Sequence, residues 1–173
     1  LFFPSDYVVA DIGTGTGYLM ELLGERAKKF IAIDMDEAML SKARKKAEAL
    51  DLDNVEFRTG DAHAPPLEEG EANLITMIMV LHYLENPVGA LQSASQSLAP
   101  GGSILLIDFV QHQKTWLKEM MNHKWLGFDR KTLESSCQEF GLELQGWSLL
   151  PGRRWMTNGE KELDVPDAFA ALA

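Results

Sequence analysis

The sequence has one cysteine, Cys137, among 173 residues. No internal disulfide is possible, which excludes a disulfide scaffold and fits a reducing, cytoplasmic setting. Seven prolines and 14 glycines, without a period, exclude collagen and low-complexity disorder. Long apolar runs are missing too. The longest, Leu74 to Leu81, is broken by Thr76 and is too short to span a bilayer. Basic charge is scarce, with 16 Lys and Arg against 26 Asp and Glu and a net charge of -10. Such a surface repels phosphate backbones and anionic lipid, so neither nucleic acid nor membrane is an expected partner of this domain. No signal peptide is visible. The chain opens Leu1-Phe2-Phe3-Pro4 without an initiator Met, which reads as a fragment or a trimmed chain.

What is present is an ordinary globular mix, 46% apolar and 24% charged, in a length that suits one domain. Strand and helix patterns alternate. Tyr7 to Ile12 reads as a short strand, Tyr18 to Ala27 as a helix, and Phe30 to Ile33 as a second strand ending at Asp34. Asp36 is placed to cap the next helix, whose inner face carries Met39, Leu40, Ala43, Ala47 and Leu50. Val55 to Arg58, Ala72 to Met79 and Ser103 to Phe109 read as further strands, with a helix over Val88 to Leu98. Strands apolar on both faces and separated by helices predict a parallel sheet covered on both sides, in an α/β doubly wound fold. Beyond Asp108, helices are expected over Gln111 to Asn122 and Arg130 to Phe140. A hairpin of Leu142–Leu149 and Arg153–Thr157 follows, turning at Pro151-Gly152. That makes one domain of residues 1–158 and a polar tail of 159–173.

The most informative stretch is Asp11-Ile12-Gly13-Thr14-Gly15-Thr16-Gly17, between a strand and a helix. Glycines there let the backbone turn sharply and meet a ligand without Cβ clashes. The spacing is GxGxG rather than the GxGxxG of a pyrophosphate site, and Asp11 would repel a pyrophosphate. Both argue against a nicotinamide-dependent oxidoreductase. Beside an ammonium group or a water network, Asp11 is useful. Asp34 ends the second strand, where a carboxylate accepts ribose hydroxyls. Asp61 follows the third, where one accepts from an adenine amine. The set fits a cationic ligand with an adenosine and an amino-acid end.

These residues resemble the class I S-adenosylmethionine-dependent methyltransferases. Asp11 to Gly17 is similar to their first motif, Asp34 to the ribose-binding acid of the second, and Gly60-Asp61-Ala62 to the third. Pro100-Gly101-Gly102 and the closing hairpin are similar to a mostly parallel seven-stranded sheet of order 3-2-1-4-5-7-6 with an antiparallel C-terminal hairpin. His82, His112 and Trp125-Leu126-Gly127-Phe128 further resemble the type 11, UbiE-like group and the methyltransferase domains behind ArsR-type regulators. The resemblance implies S-adenosylmethionine as cofactor and S-adenosylhomocysteine as product. The donor set is then Asp11, Gly13, Thr14, Gly15, Gly17, Tyr18, Asp34, Met35, Asp61, Ala62 and Met79. His82 and His112 are the candidate catalytic bases, and a small molecule is the expected acceptor.

For several of these residues a packing role competes. Tyr18 either faces the methionine portion or packs, Met35 either covers adenine or fills space, and His82 and Tyr83 either serve the acceptor or the core. Trp116, Met120 and Met121 read as core or pocket wall. Histidine spacing gives no metal site. The chain departs from the family in having little before the first strand. It also lacks the Pro-Pro motif of amine methylators at Met77 to Val80, and Cys137 stands alone where arsenite methylation needs several thiols. The expected activity is methyl transfer to a small molecule, with a homodimer as the possible assembly. The alternative is a donor-binding regulatory module without turnover.

Overall fold

The structure is a computed structural model. It describes residues 3–152, 154–157 and 161–173, the last two short strands before residue 165 by their backbone. In chain order the elements are β1 (Val8–Ile12), α1 (Tyr18–Leu23), β2 (Lys29–Asp34), α2 (Glu37–Ala49), β3 (Val55–Thr59), β4 (Ala72–Ile78), α3 (Pro87–Gln96), β5 (Leu98–Phe109), α4 (Trp116–Met121), α5 (Arg130–Glu139), β6 (Gly146–Leu150), β7 (Arg154–Thr157), β8 (Lys161–Asp164) and β9 (Ala168–Leu172). Short 3-10 turns follow α1, at Gly24–Arg26, and β4, at Leu81–Tyr83.

Seven strands form one sheet of order β3-β2-β1-β4-β5-β9-β6. The first five run parallel, and β9 is antiparallel to both β5 and β6. This is the expected doubly wound α/β sheet, with β9 as its seventh strand. Alternate residues of each central strand enter opposite layers. Ala10, Ile12, Ile31, Ile33, Ile75 and Met77 share one core with Leu91 of α3 and Leu133 of α5. Val9, Phe30, Ala32 and Leu74 share another with Met20 and Leu23 of α1 and Ala47 of α2. Helix starts are fixed locally. Asp36 accepts from Ala38 N at 2.8 Å, Asn86 from Gly89 N at 3.0 Å, and Asp129 from Thr132 N at 2.9 Å.

The C-terminal region differs from the sequence reading. Residues 154–157 do not complete a hairpin with β6; they pair with β8 in a separate two-stranded ribbon. Residues 168–172, expected in a tail, lie in the sheet between β5 and β6 instead. Phe169 is fully buried and Ala171 is buried beside it, so this short apolar run fills a slot between two strands. Residues 153 and 158–160 of the expected hairpin and tail lie outside the described residues. The helix after β5 is also shorter than expected. His112 N donates to Leu126 O at 2.9 Å and Gln111 N to Phe128 O at 3.1 Å. Residues before Thr115 thus spend their backbone groups on the 126–128 segment, and α4 begins only after it. On α4, Leu117 is buried while Met120 and Met121 are exposed, so those two methionines are not core.

Candidate active site

The carboxyl ends of β1 to β5 align at one edge of the sheet, where a parallel fold places its ligand crevice. At that edge the chain leaves β1 through a turn pinned to β2. Gly13 N and Thr14 N both donate to Ile33 O, at 2.8 and 2.9 Å, and Gly17 N returns to Thr14 O at 2.9 Å. Gly13, Gly15 and Gly17 all have positive φ, at 78°, 54° and 76°, a region that side-chain-bearing residues rarely enter. A Cβ on Gly13 would come within 2.3 Å of Val80 Cγ2. One on Gly15 would meet nothing within 4 Å. The first glycine therefore serves packing, and the second leaves space open at the mouth of the turn.

Asp34 closes β2 beside that space. One carboxylate oxygen accepts from Gly15 N at 2.8 Å and the other from Asp36 N at 2.9 Å. The acid thus fixes the glycine turn and the start of α2 together, and its remaining lone pairs face the crevice. Asp61, after β3, accepts from His63 N and from His63 Nδ1, both at 2.8 Å. The His63 backbone and ring bonds hold its carboxyl below the usual range.

A pocket of ≈ 300 Å³ lies between these acids, within the size range of small-molecule sites. Gly13, Asp34, Met35, Asp61, Ala62 and Met79 of the sequence-selected set line it. Tyr83, Val80 and Leu84 complete its far side. Met79 adopts the left-handed conformation, φ 57°, held by Met79 N donating to Ile107 O at 2.7 Å. Strain of that kind in a residue with a side chain collects at ligand sites. Met35 is 75% exposed, so it is no core filler. Tyr18 is exposed too, but it does not line the pocket. A larger shallow hollow, ≈ 650 Å³ around Arg44 and Phe57, sits away from the strand ends.

Asp11 is placed differently from its reading as a ligand-facing acid. It lies in β1, opposite Thr76 of β4, 3% exposed, and accepts from Thr76 Oγ1 at 2.6 Å. Burial pushes its carboxyl up to about 6, against the lowering pull of the Thr76 and Thr14 hydroxyls; the charge of Asp34 adds to the rise. The Thr14 side chain is buried beside the turn, its hydroxyl directed at the Asp11 carboxyl.

The two candidate bases part company. His82 is 1% exposed, and its Nδ1 is 2.8 Å from Asp108 Oδ1. Asp108 also accepts from Phe109 N at 2.7 Å. His112 lies past β5, its Nδ1 accepting from Lys114 N at 3.1 Å, and burial lowers its pKa. Neither lines the pocket; Tyr83, packed on His82 at 4.1 Å between ring centroids, does. Asp108 and His123 went unnoticed in the sequence. Asp108 follows the strand-end rule that singled out Asp34 and Asp61. His123 sits in an irregular segment with no motif to mark it.

A family model described as a methyltransferase domain matches residues 4–148. The chain belongs to the methyltransferase domain family. This methyltransferase domain is 27% identical over 110 residues to the ubiquinone biosynthesis O-methyltransferase of Acinetobacter baylyi, covering 63% of this chain and 46% of that protein. It is 35% identical over 103 residues to the demethylmenaquinone methyltransferase of Thermus thermophilus, covering 58% and 46%. The match thus spans about half the length of these curated relatives. Among solved structures, the Bacillus halodurans protein BH2331, itself only provisionally assigned as a methyltransferase, superposes with a TM-score of 0.86 at 18% identity, covering 98% of this chain and 93% of that one. That likeness establishes the fold.

Proposed function

We propose that the domain binds S-adenosylmethionine in the strand-end pocket and transfers its methyl group to a small-molecule acceptor. The observation that carries this is the Asp34 carboxylate bonded to Gly15 N across an open glycine turn. The residues fit the cofactor. Gly15 opens onto free space at the mouth of the turn, and Asp34 and Asp61 offer acceptors in one pocket. Asp34 would hold the ribose, Asp61 and the Ala62 backbone the adenine with Met35 over its face, and the turn from Gly13 to Gly17 the amino-acid end. Bound there, the cofactor supplies an activated methyl group on a positively charged sulfur.

The chain's own residues position and desolvate. Apolar Val80, Leu84 and Met79 exclude water from the far side of the pocket. The Tyr83 ring offers an aromatic face to positive charge, worth about 0.5–2 kcal/mol. Asp108 holds His82 by Nδ1, which leaves Nε2 to take a proton where the acceptor must lose one. The names of the relatives, a ubiquinone biosynthesis O-methyltransferase and a demethylmenaquinone methyltransferase, support an acceptor of quinone-biosynthetic type. The acidic balance, net -10, keeps nucleic acid from this surface. The buried, unpaired thiol of Cys137 supports a cytoplasmic place of action. One observation favours a donor-binding module without turnover instead, the sealing of His82 at 1% exposure.

Calorimetry with S-adenosylhomocysteine tests the donor site, with saturable binding expected. Transfer of labelled methyl to an acceptor then separates the enzyme from the module. Failure of the nucleoside to bind, with NAD binding in its place, overturns the proposal.

A further inference from the structure

Tyr83 belongs to the donor pocket and also to a cluster of rings that donor binding leaves unused. Phe109, the last residue of β5, is surrounded by His82 at 5.1 Å, His123 at 5.6 Å and His112 at 5.9 Å between ring centroids. Tyr83 packs on two of the three, His82 at 4.1 Å and His123 at 5.0 Å. His123 and His82 are themselves 4.1 Å apart, and Lys124 N and Trp125 N tie the segment down by donating to His82 O at 2.8 and 3.1 Å.

Among the described residues, two nitrogens of this cluster have no hydrogen-bond partner. His112 Nδ1 accepts from Lys114 N, so the proton of the neutral ring sits on Nε2. That donor is buried and without a partner among the described residues. His123, 4% exposed, has its Nδ1 buried and equally without a partner. Native interiors leave few polar atoms in this condition, and each one calls for an explanation. Here there are two, beside a ring that reaches into a ligand pocket. Their charge state narrows what they could bind. Burial and the neighbouring His82 hold the His123 ring down to about 4, so it is uncharged at neutral pH. An anionic group would meet the Asp108 carboxylate, whose charge acts on His123. An ammonium would meet a donor on His112. A hydroxyl, which donates and accepts, suits both nitrogens.

Resting on the donor-site reading above, we infer that His112 and His123 bind the polar end of the methyl acceptor, and that this acceptor is an uncharged, hydroxylated aromatic molecule. Its oxygens meet the two orphaned nitrogens. Its flat ring lies against Tyr83, which is 43% exposed. His123 is then an acceptor-binding residue, and Asp108 a positioning residue that acts through His82.

The test uses the whole chain, labelled with nitrogen-15 at histidine and saturated with S-adenosylhomocysteine. Catechol is the probe, and 1,2-dimethoxybenzene its counterpart without a hydroxyl proton. Catechol is expected to shift the ring nitrogens of His112 and His123 while His63, on Asp61, stays unmoved, and the dimethoxy compound to bind roughly tenfold more weakly or worse. His123→Phe keeps a ring in the cluster; it is expected to lose catechol affinity roughly tenfold or more while S-adenosylhomocysteine affinity is unchanged. If millimolar catechol leaves both histidines unmoved, or a folded His123→Phe protein binds catechol as the parent does, the proposal is overturned. Should the variant not fold, the parent titration decides alone. Loss of S-adenosylhomocysteine binding by the parent removes the donor-site reading instead, so the two failures are distinct.

Discussion

Replacing Asp11 by Asn should make the protein more stable at neutral and alkaline pH. The argument starts from burial. In the folded chain the Asp11 carboxyl is pushed from its ordinary 3.8 up to about 6. The folded protein therefore binds this proton more tightly than the unfolded chain does. Stability from the group is fully present below pH 3.8 and is lost as the pH rises through 6. At 1.36 kcal/mol for each tenfold change, ionising Asp11 costs about 3 kcal/mol above that window. Asparagine has the same shape, still accepts from Thr76 Oγ1, and turns an amide N–H toward the Thr14 hydroxyl, which can accept it. The variant should gain up to about 3 kcal/mol at about pH 8 and close to nothing at about pH 4. In a chain of this length that is a rise in Tm of roughly 6–12 °C. Glu56 and Glu71, held to about 2 by Arg58, titrate in the opposite sense at lower pH. They are common to both proteins and cancel in the difference. Urea denaturation of the pair at both pH values reads it directly. An advantage that is absent, or that does not grow with pH, refutes the account of Asp11 as a buried charge held against desolvation.

Other outcomes are equally definite. Asp34→Ala removes the charged acceptor proposed to hold the ribose, a bond contributing about 1.5–3 kcal/mol, and donor affinity measured by calorimetry should fall roughly ten- to a hundredfold or more; an unchanged constant in a folded variant would falsify that role. Gly15→Val places a branched side chain in the open mouth of the turn and should abolish S-adenosylhomocysteine binding while the far-ultraviolet circular dichroism stays that of the parent. Asp108→Asn leaves the buried His82 N–H facing an amide. It should cost roughly 1–3 kcal/mol in a urea melt and slow any transfer that needs a proton acceptor, with donor binding intact.

The fold was legible where local pattern and long-range packing agree. Strands β1, β2 and β4 are apolar on both faces, because helices cover both sides, and their runs stand out. Asp36, Asn86 and Asp129 carry their capping chemistry in their residue type. The seventh strand was hidden for the opposite reason. Alanine is a weak strand former, and Ala168 to Leu172 becomes a strand only because β5 and β6 hold its backbone between them. At the site, the glycine spacing and the acids at strand ends marked the pocket, since backbone geometry dictates both. The sequence could not tell that Asp11 turns toward Thr76 and away from the crevice; that depends on the register of β1 against β4. Nor could it reveal His123, whose place is set by backbone bonds from Lys124 and Trp125 to His82.

The interposed position of β9 sets an order of events during synthesis. On the ribosome, β5 emerges well before β9, and β6 has no partner in the sheet until β9 arrives to stand between them. Until then the nascent chain carries an apolar, hydrogen-bond-hungry margin along Leu105 to Phe109. That margin is the same stretch that presents Asp108 to His82, so this side of the crevice matures only after β9 arrives, while the glycine-turn half can already be whole.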